Sequence, residues 1–169
     1  MDFEQDPEIR ALAERVREFV DEIVIPAERT FFESGEAVPN GLVAELREEA
    51  RRRDLYLPHM PKEYGGQDIG FLGMCAVFEE AGRSPIGPLA LNCSAPDEGN
   101  MHLLLHWGSA EQKERYLRPL AEGKVRSCFA MTEPAPGAGS DPTMMQTTAV
   151  HDGDSYVITG RQWFTTGAE

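Results

Sequence analysis

The chain of 169 residues has room for one domain, or for one domain and part of another. Apolar residues make up 41% and charged residues 27%, so a core can form without disulfides or a structural metal. Sixteen Lys and Arg against 29 Asp and Glu leave a net charge of -13, which argues against general nucleic-acid binding and against docking on anionic membranes.

No apolar run approaches the ~18 residues of a membrane span. The acidic start Met1-Asp2-Phe3-Glu4-Gln5-Asp6 has the pattern of neither a signal peptide nor a transit peptide. Cys75, Cys93 and Cys128 are odd in number and widely spaced, and they read as reduced thiols of a cytoplasmic protein.

A helix should begin at Asp6-Pro7, with Asp6 as cap and Pro7 in the first turn. Ile9, Leu12, Ala13, Val16, Phe19, Val20 and Ile23 form its apolar stripe, and Pro26 should break or bend it. A second helix follows Pro39-Asn40-Gly41, with Leu42, Val43, Leu46 and Ala50 facing inward. Arg51-Arg52-Arg53 closes it, pairing with the negative helix end and acidic neighbours. The stretch from Leu57 to Gly66 reads as an irregular connection, having two prolines and two glycines.

Helical spacing resumes at Phe71, Leu72, Cys75 and Phe78 and ends near Gly82. Asp97 to Trp107 reads as a buried helix stopped by Gly108. Ser109-Ala110-Glu111-Gln112 is a capping box for a helix with Tyr116, Leu117 and Leu120 on its inner face. Pro119 should distort that helix and Gly123 should close it.

The period then changes. Ser127–Met131, Met144–Val150, Tyr156–Thr159 and Gln162–Thr166 read as four short strands, with Asp152-Gly153 as a hairpin turn. The fold class is α+β: an all-α helical domain over residues 1–126, then the start of an antiparallel β domain over 127–169. Four strands with one apolar face need a partner layer, so further chain or a second chain is expected beyond Glu169.

Two constellations invite chemistry. Glu98, His102 and His106 share one helix face, a spacing compatible with metal ligation. The residues between the histidines are leucines, however, so packed, hydrogen-bonded histidines with no metal are expected. Gly137-Ala138-Gly139-Ser140 taken alone reads as a plain surface loop, and phosphate contact through its backbone donors is the alternative. It is not a P-loop, and Pro142 stands where a dinucleotide fingerprint needs glycine.

Phe129-Ala130-Met131-Thr132-Glu133-Pro134 leads into this loop and on to Ser140-Asp141. Gly160-Arg161-Gln162-Trp163-Phe164-Thr165-Thr166-Gly167 follows later. Together with Glu63-Tyr64-Gly65-Gly66 and Gly108-Ser109-Ala110-Glu111-Gln112-Lys113, these runs resemble the amino-terminal part of an acyl-CoA dehydrogenase. Asn92–Met101 further resembles the branch called family members ten and eleven. The resemblance implies FAD as cofactor, with Phe129, Met131, Thr132, Gly139, Ser140, Phe164, Thr165 and Thr166 at the flavin. It implies hydroxyl contacts from Thr132 and Thr166, a ring contact from Phe164, and Ser140 near both the pyrophosphate and the acyl-CoA substrate. Glu133 would be structural. Alternation along the last strand would put Phe164 and Thr166 on one face and Thr165 on the other.

The same resemblance implies flavin-dependent α,β-dehydrogenation of an acyl-CoA thioester in fatty-acid catabolism. Its partners would be an electron-transferring flavoprotein and further copies of the chain in a dimer or tetramer. The catalytic base would lie beyond Glu169, so this chain would be the amino-terminal portion and inactive alone. Ala135-Pro136 lengthens the loop relative to the family pattern. Two other readings are an oxidase or monooxygenase on the same scaffold and a non-catalytic half-protein.

Overall fold

The computed structural model describes residues 6–33, 38–137 and 139–168. Residues 1–5 of the acidic start, Ala138 of the glycine loop and Glu169 lie outside the described residues. The chain divides into two compact units, Met1–Val125 and Arg126–Glu169.

The first unit is helical. Helix α1 spans Pro7–Phe19, and the Asp6 carboxylate caps it by accepting from the Glu8 N–H at 2.8 Å. Ala13, Val16 and Phe19 face the core. Pro26 does not break the chain. A wide turn over Val20–Val24, closed by the Ile25 N–H on the Val20 carbonyl, leads straight into α2 at Ile25–Phe32. Proline has no N–H and its ring crowds the preceding turn; the wider turn relieves that crowding. The device recurs before Pro119, where Lys113–Leu117 is the wide turn and Arg118–Ala121 the following helix.

Helix α3 (Asn40–Arg52) buries Leu46, Arg47 and Ala50. Its terminal arginines are engaged as composition suggests: Arg51 meets Glu48 at 2.6 Å and Arg53 meets Glu49 at 2.7 Å. Arg51 also donates to the Glu122 carbonyl at 2.8 Å. Helix α4 (Gly70–Ala81) packs on α1, where Gly73 leaves room for the Ile9 side chain. Its buried face is Gly73, Ala76, Val77, Glu80 and Ala81, whereas Phe71, Leu72 and Cys75 are exposed. Glu80 is clamped by Arg17 of α1, whose guanidinium holds the Glu80 carboxyl below its usual range.

The irregular stretch after α3 belongs to the core: Leu55, Tyr56, Leu57, His59 and Met60 are all buried. Backbone bonds make this affordable in a stretch with no helix. Leu57 donates to the Leu91 carbonyl at 2.9 Å, and the Met60 carbonyl accepts from Asp68 at 3.0 Å. Gly66 is required, because a Cβ there would collide with the Met60 carbonyl.

The short helix α5 (Gly87–Ala90) ends at Asn92, which adopts a positive φ of 55°. The Asn92 amide donates to the Leu120 and Ala121 carbonyls at 3.1 and 3.2 Å and accepts from Arg47 at 3.0 Å. Arg47 also donates to the carbonyls of Leu89 and Gly123, each at 3.1 Å. Helix α6 (Asp97–Trp107) is not the buried helix expected. Asp97 and Met101 are covered, but Leu103 and Trp107 are exposed. After the Ser109–Gln112 capping box come α7 (Ala110–Gln112) and α8 (Arg118–Ala121). Leu117 and Leu120 are buried as the pattern requires, while Tyr116 points outward.

The second unit holds one antiparallel hairpin, β1 (Thr148–Asp152) with β2 (Ser155–Thr159). Two of the four expected strands therefore form, and Ser127–Met131 and Gln162–Thr166 are extended or bent chain without ladder partners. Every residue of the hairpin is exposed. A ladder needs successive backbone pairs along a shared edge, and among the described residues this part of the chain shows a single one, from the Trp163 N–H to the Thr132 carbonyl. Among the described residues, no helix is long and apolar enough to cross a membrane.

Asn92→Ala should cost the helical unit about 2–4 kcal/mol, since it unpairs buried groups and places a Cβ-bearing residue without a polar side chain at positive φ. Cys75→Ala, on an exposed site, should change it by less than about 0.5 kcal/mol. Urea unfolding followed by helical circular dichroism checks both.

Candidate functional sites

The helical unit has a groove of about 560 Å³ between α4 and α6, lined in part by His59, Phe71, Met74, Glu98, His102 and Leu105. His102 and His106 stack with ring centroids 6.1 Å apart, and His59 packs against His102 at 5.4 Å. Glu98 Oε1 stands 3.3 Å from His102 Nε2, within reach but not aligned as a hydrogen bond. His102 is thus half-buried and its Nε2 lacks the hydrogen bond expected of it, while His106 is exposed. Both ring nitrogens of buried His59 are also without a partner among the described residues. Burial, aided by the neighbouring His102, pushes His59 down to about 3. Among the described residues, no three His, Cys, Asp or Glu side chains converge to hold a metal ion. His59 carried no signal in the sequence, because an irregular stretch has no periodicity to reveal a buried face.

The strand unit brings the other candidates together through its backbone. The Trp163 N–H donates to the Thr132 carbonyl at 3.0 Å, so the first and last segments run side by side. The Glu133 N–H donates to the Gly139 carbonyl at 3.0 Å and closes the base of the glycine loop. Gly139 has a φ of 63°, and the space where a Cβ would sit is open, so its backbone is approachable. Ser140 is exposed, and Asp141 caps the turn Pro142–Met144 through the Thr143 N–H and hydroxyl at 2.9 and 2.7 Å.

Glu133 is the hub of this unit. Its side chain is buried, Oε2 accepts from the Gln146 N–H at 2.6 Å, and Oε1 accepts from the Thr147 N–H at 2.7 Å. The Thr147 hydroxyl donates to the same Oε1, and Gln162 Nε2 lies against both. These donors, led by the Thr147 hydroxyl, hold the Glu133 carboxyl below its usual range. A Cβ at Gly137 would stand 2.6 Å from Glu133 Oε2, and one at Gly160 would collide with the Thr147 hydroxyl.

The remaining candidates lie on exposed or half-buried chain. Phe129 is exposed, Met131 and Thr132 are half-buried, and Phe164 is 83% exposed with its ring 5.0 Å from that of Trp163. Phe164 has a positive φ of 50°, and Thr166 sits in a turn before Gly167. The alternation expected of a strand is therefore lost. Phe164 and Thr166 do not share a face by strand geometry, because period-2 alternation requires continuous extended φ. Thr165 is half-buried and its carbonyl accepts from the Ala168 N–H at 3.3 Å, while Thr166 is exposed.

Comparison with known proteins bears on both units. Residues 6–124 match the family model of the acyl-CoA dehydrogenase N-terminal domain, and residues 128–169 match that of the middle domain. The chain is 36% identical to mouse acyl-CoA dehydrogenase family member 10 over 95% of its own length, but covers 16% of that protein. A Mycobacterium abscessus structure assigned as an acyl-CoA dehydrogenase superposes with a TM-score of 0.86 at 38% identity, covering 98% of this chain and 44% of the other. Glutaryl-CoA dehydrogenase from Mycobacterium smegmatis, in complex with FADH2, gives 0.72 at 29% identity, covering 95% of this chain and 39% of that one. The chain thus spans less than half the length of these relatives.

The buried histidine has a measurable consequence. His59 titrates at about 3 in the folded chain and near 6.5 when unfolded, so the unfolded state binds more protons between those values. Stability should be full above about pH 6.5 and fall as the pH drops toward 3. Between pH 7 and 4.5, the wild type should lose about 2–3 kcal/mol more than His59→Leu. Urea titrations of both proteins at the two pH values check the difference; parallel losses would remove His59 as the cause.

Proposed function

Because the chain belongs to the acyl-CoA dehydrogenase family, we propose that it supplies one side of a flavin site for α,β-dehydrogenation of an acyl-CoA thioester. The observation that carries this is the closed Thr132–Ser140 loop lying beside Trp163 through the Thr132–Trp163 backbone bond. The residues present fit FAD. Thr132, Ser140 and Thr166 offer hydroxyls, Gly139 offers open backbone, and the exposed Phe164 and Phe129 offer aromatic faces. The flavin-bound relative supports the same reading.

When bound, FAD would supply the hydride acceptor for the acyl β-carbon. The chain's own part is to bind and orient. Thr132 and Thr166 would hold the ring by hydroxyl hydrogen bonds, where negative charge would grow on reduction. Phe129, Met131 and Thr165 would help to hold it, and the exposed Phe164 would offer it an apolar cover against water. Ser140 and Gly139 would hold the pyrophosphate end, and Ser140 would also serve the acyl-CoA. The α-proton goes to a carboxylate from outside these residues. On this reading, residues 1–126 are the helical domain and 127–169 the first part of the central β domain. The protein acts in the cytoplasm as a homo-oligomer, with an electron-transferring flavoprotein as acceptor.

The test is anaerobic addition of acyl-CoA thioesters to the full-length gene product. Bleaching of the flavin absorbance is expected, with electron-transferring flavoprotein restoring it. Oxygen restoring it as fast would favour an oxidase, and no bleaching would remove the reading. Thr166→Val should slow flavin reduction by about ten- to a hundredfold, with a smaller change in substrate affinity. Stopped-flow reduction checks it, and Thr165→Val, at the half-buried neighbour, should have the smaller effect. The 169-residue chain alone should bind FAD weakly, because half a cofactor site lacks several hydrogen bonds worth ~0.5–1.5 kcal/mol each; fluorescence titration of FAD reads it.

A further inference from the structure

The sequence separates the glycine loop, the lead into β1 and the 162–166 run, yet one buried carboxylate touches the chain of all three. Glu133 anchors the loop by its backbone and residues 146–147 by its side chain, and Gln162 closes on it from the third. Its donors are neutral: two N–H groups, a hydroxyl and an amide. A carboxylate out of water with neutral partners is costly unless each lone pair is used, and a carboxylate is the only side chain that accepts at both ends. The hairpin does not need it, since β1 and β2 pair through their own ladder from Thr148–Thr159 to Asp152–Ser155. Gly137 and Gly160 are also shaped around it and around Thr147.

We propose that Glu133 is the positioning residue of the flavin site, setting the distance between the Thr132–Ser140 loop and the 162–166 run so that both meet one ligand. The proposal rests on the flavin reading above. Glutamine at this position keeps the shape but accepts at one end only, and turns an NH2 toward an N–H or hydroxyl donor. The donors are then left unpaired or pushed apart, and the loop shifts relative to Trp163. Glu133 touches neither substrate nor flavin in this scheme; it acts through Thr132, Gly139 and Gln162.

The experiment has two arms. In the full-length gene product, Glu133→Gln should raise the Kd for FAD at least about tenfold and alter the visible circular dichroism of bound flavin. The apoprotein melting temperature should move by no more than ~2–4 °C. In amide NMR spectra of the 169-residue chain, the same variant should displace the Trp163, Gly139, Gln146 and Thr147 signals and leave the helical unit unchanged. Where Glu133→Gln fails to fold, Thr147→Val removes the one hydroxyl that donates to Glu133 and accepts from Gln162, and should give the same pattern at smaller amplitude. Wild type that binds no FAD overturns the flavin reading and this proposal with it. Wild type that binds FAD beside a Glu133→Gln that binds equally well leaves the flavin reading standing and overturns the role of Glu133. Collapse of the strand-unit signals to random-coil positions in Thr147→Val as well reduces Glu133 to a structural residue and also overturns it.

Discussion

A charge withdrawn from water has to be met by dipoles or by an opposite charge, and in each unit of this protein one such charge joins separate segments of the chain. In the helical unit it is Arg47, 7% exposed, whose guanidinium reaches the carbonyls of Leu89 and Gly123 and the side chain of Asn92. Those partners come from the ends of α5 and α8, so one planar fork of donors fixes where two helix termini stop. Asn92 extends the arrangement by donating to two further carbonyls at the end of α8. Helix ends expose unpaired carbonyls, and here those carbonyls are the counterparts that make a buried arginine tolerable.

The strand unit solves the opposite problem with an acceptor. Glu133 is 4% exposed and gathers N–H and hydroxyl donors from chain that has no ladder to satisfy it. The hairpin lies open to solvent on both faces, so apolar burial contributes little to this unit. Hydrogen bonding to one carboxylate therefore sets where the segments outside the β1–β2 ladder lie relative to one another. The polar hub joins the glycine loop to Gln162, next to Trp163 and Phe164, so it holds together the segments on which the proposed function rests.

The two wide helical turns belong to the same economy of backbone groups. Each precedes a proline that cannot donate, and each lets the helix pass that proline while Val20, Val24 and Leu117 stay in the core. A clean break at Pro26 would have turned Phe31 away from the core it occupies.

Local chemistry was enough to read the α1 cap at Asp6, the Ser109–Gln112 capping box, the Asp152-Gly153 turn, the α+β order and the family, because each depends on residues within a few positions of one another. Burial was legible where it follows a helical period, as at Leu46, Ala50, Leu117 and Leu120. It was not legible at Phe71, Leu103 or Tyr116, where apolar residues face outward and only the packing of neighbouring helices sets the covered side. Nor could periodicity find His59 or the core stretch from Leu55 to Met60, whose backbone is satisfied by bonds to Leu91 and Asp68 rather than by a helix. The loss of strand structure at Phe164 and the convergence of Gln146, Thr147 and Gln162 on Glu133 were likewise decided in three dimensions. A buried charge selects its partners by distance in space, and spacing along the chain carries no record of that choice.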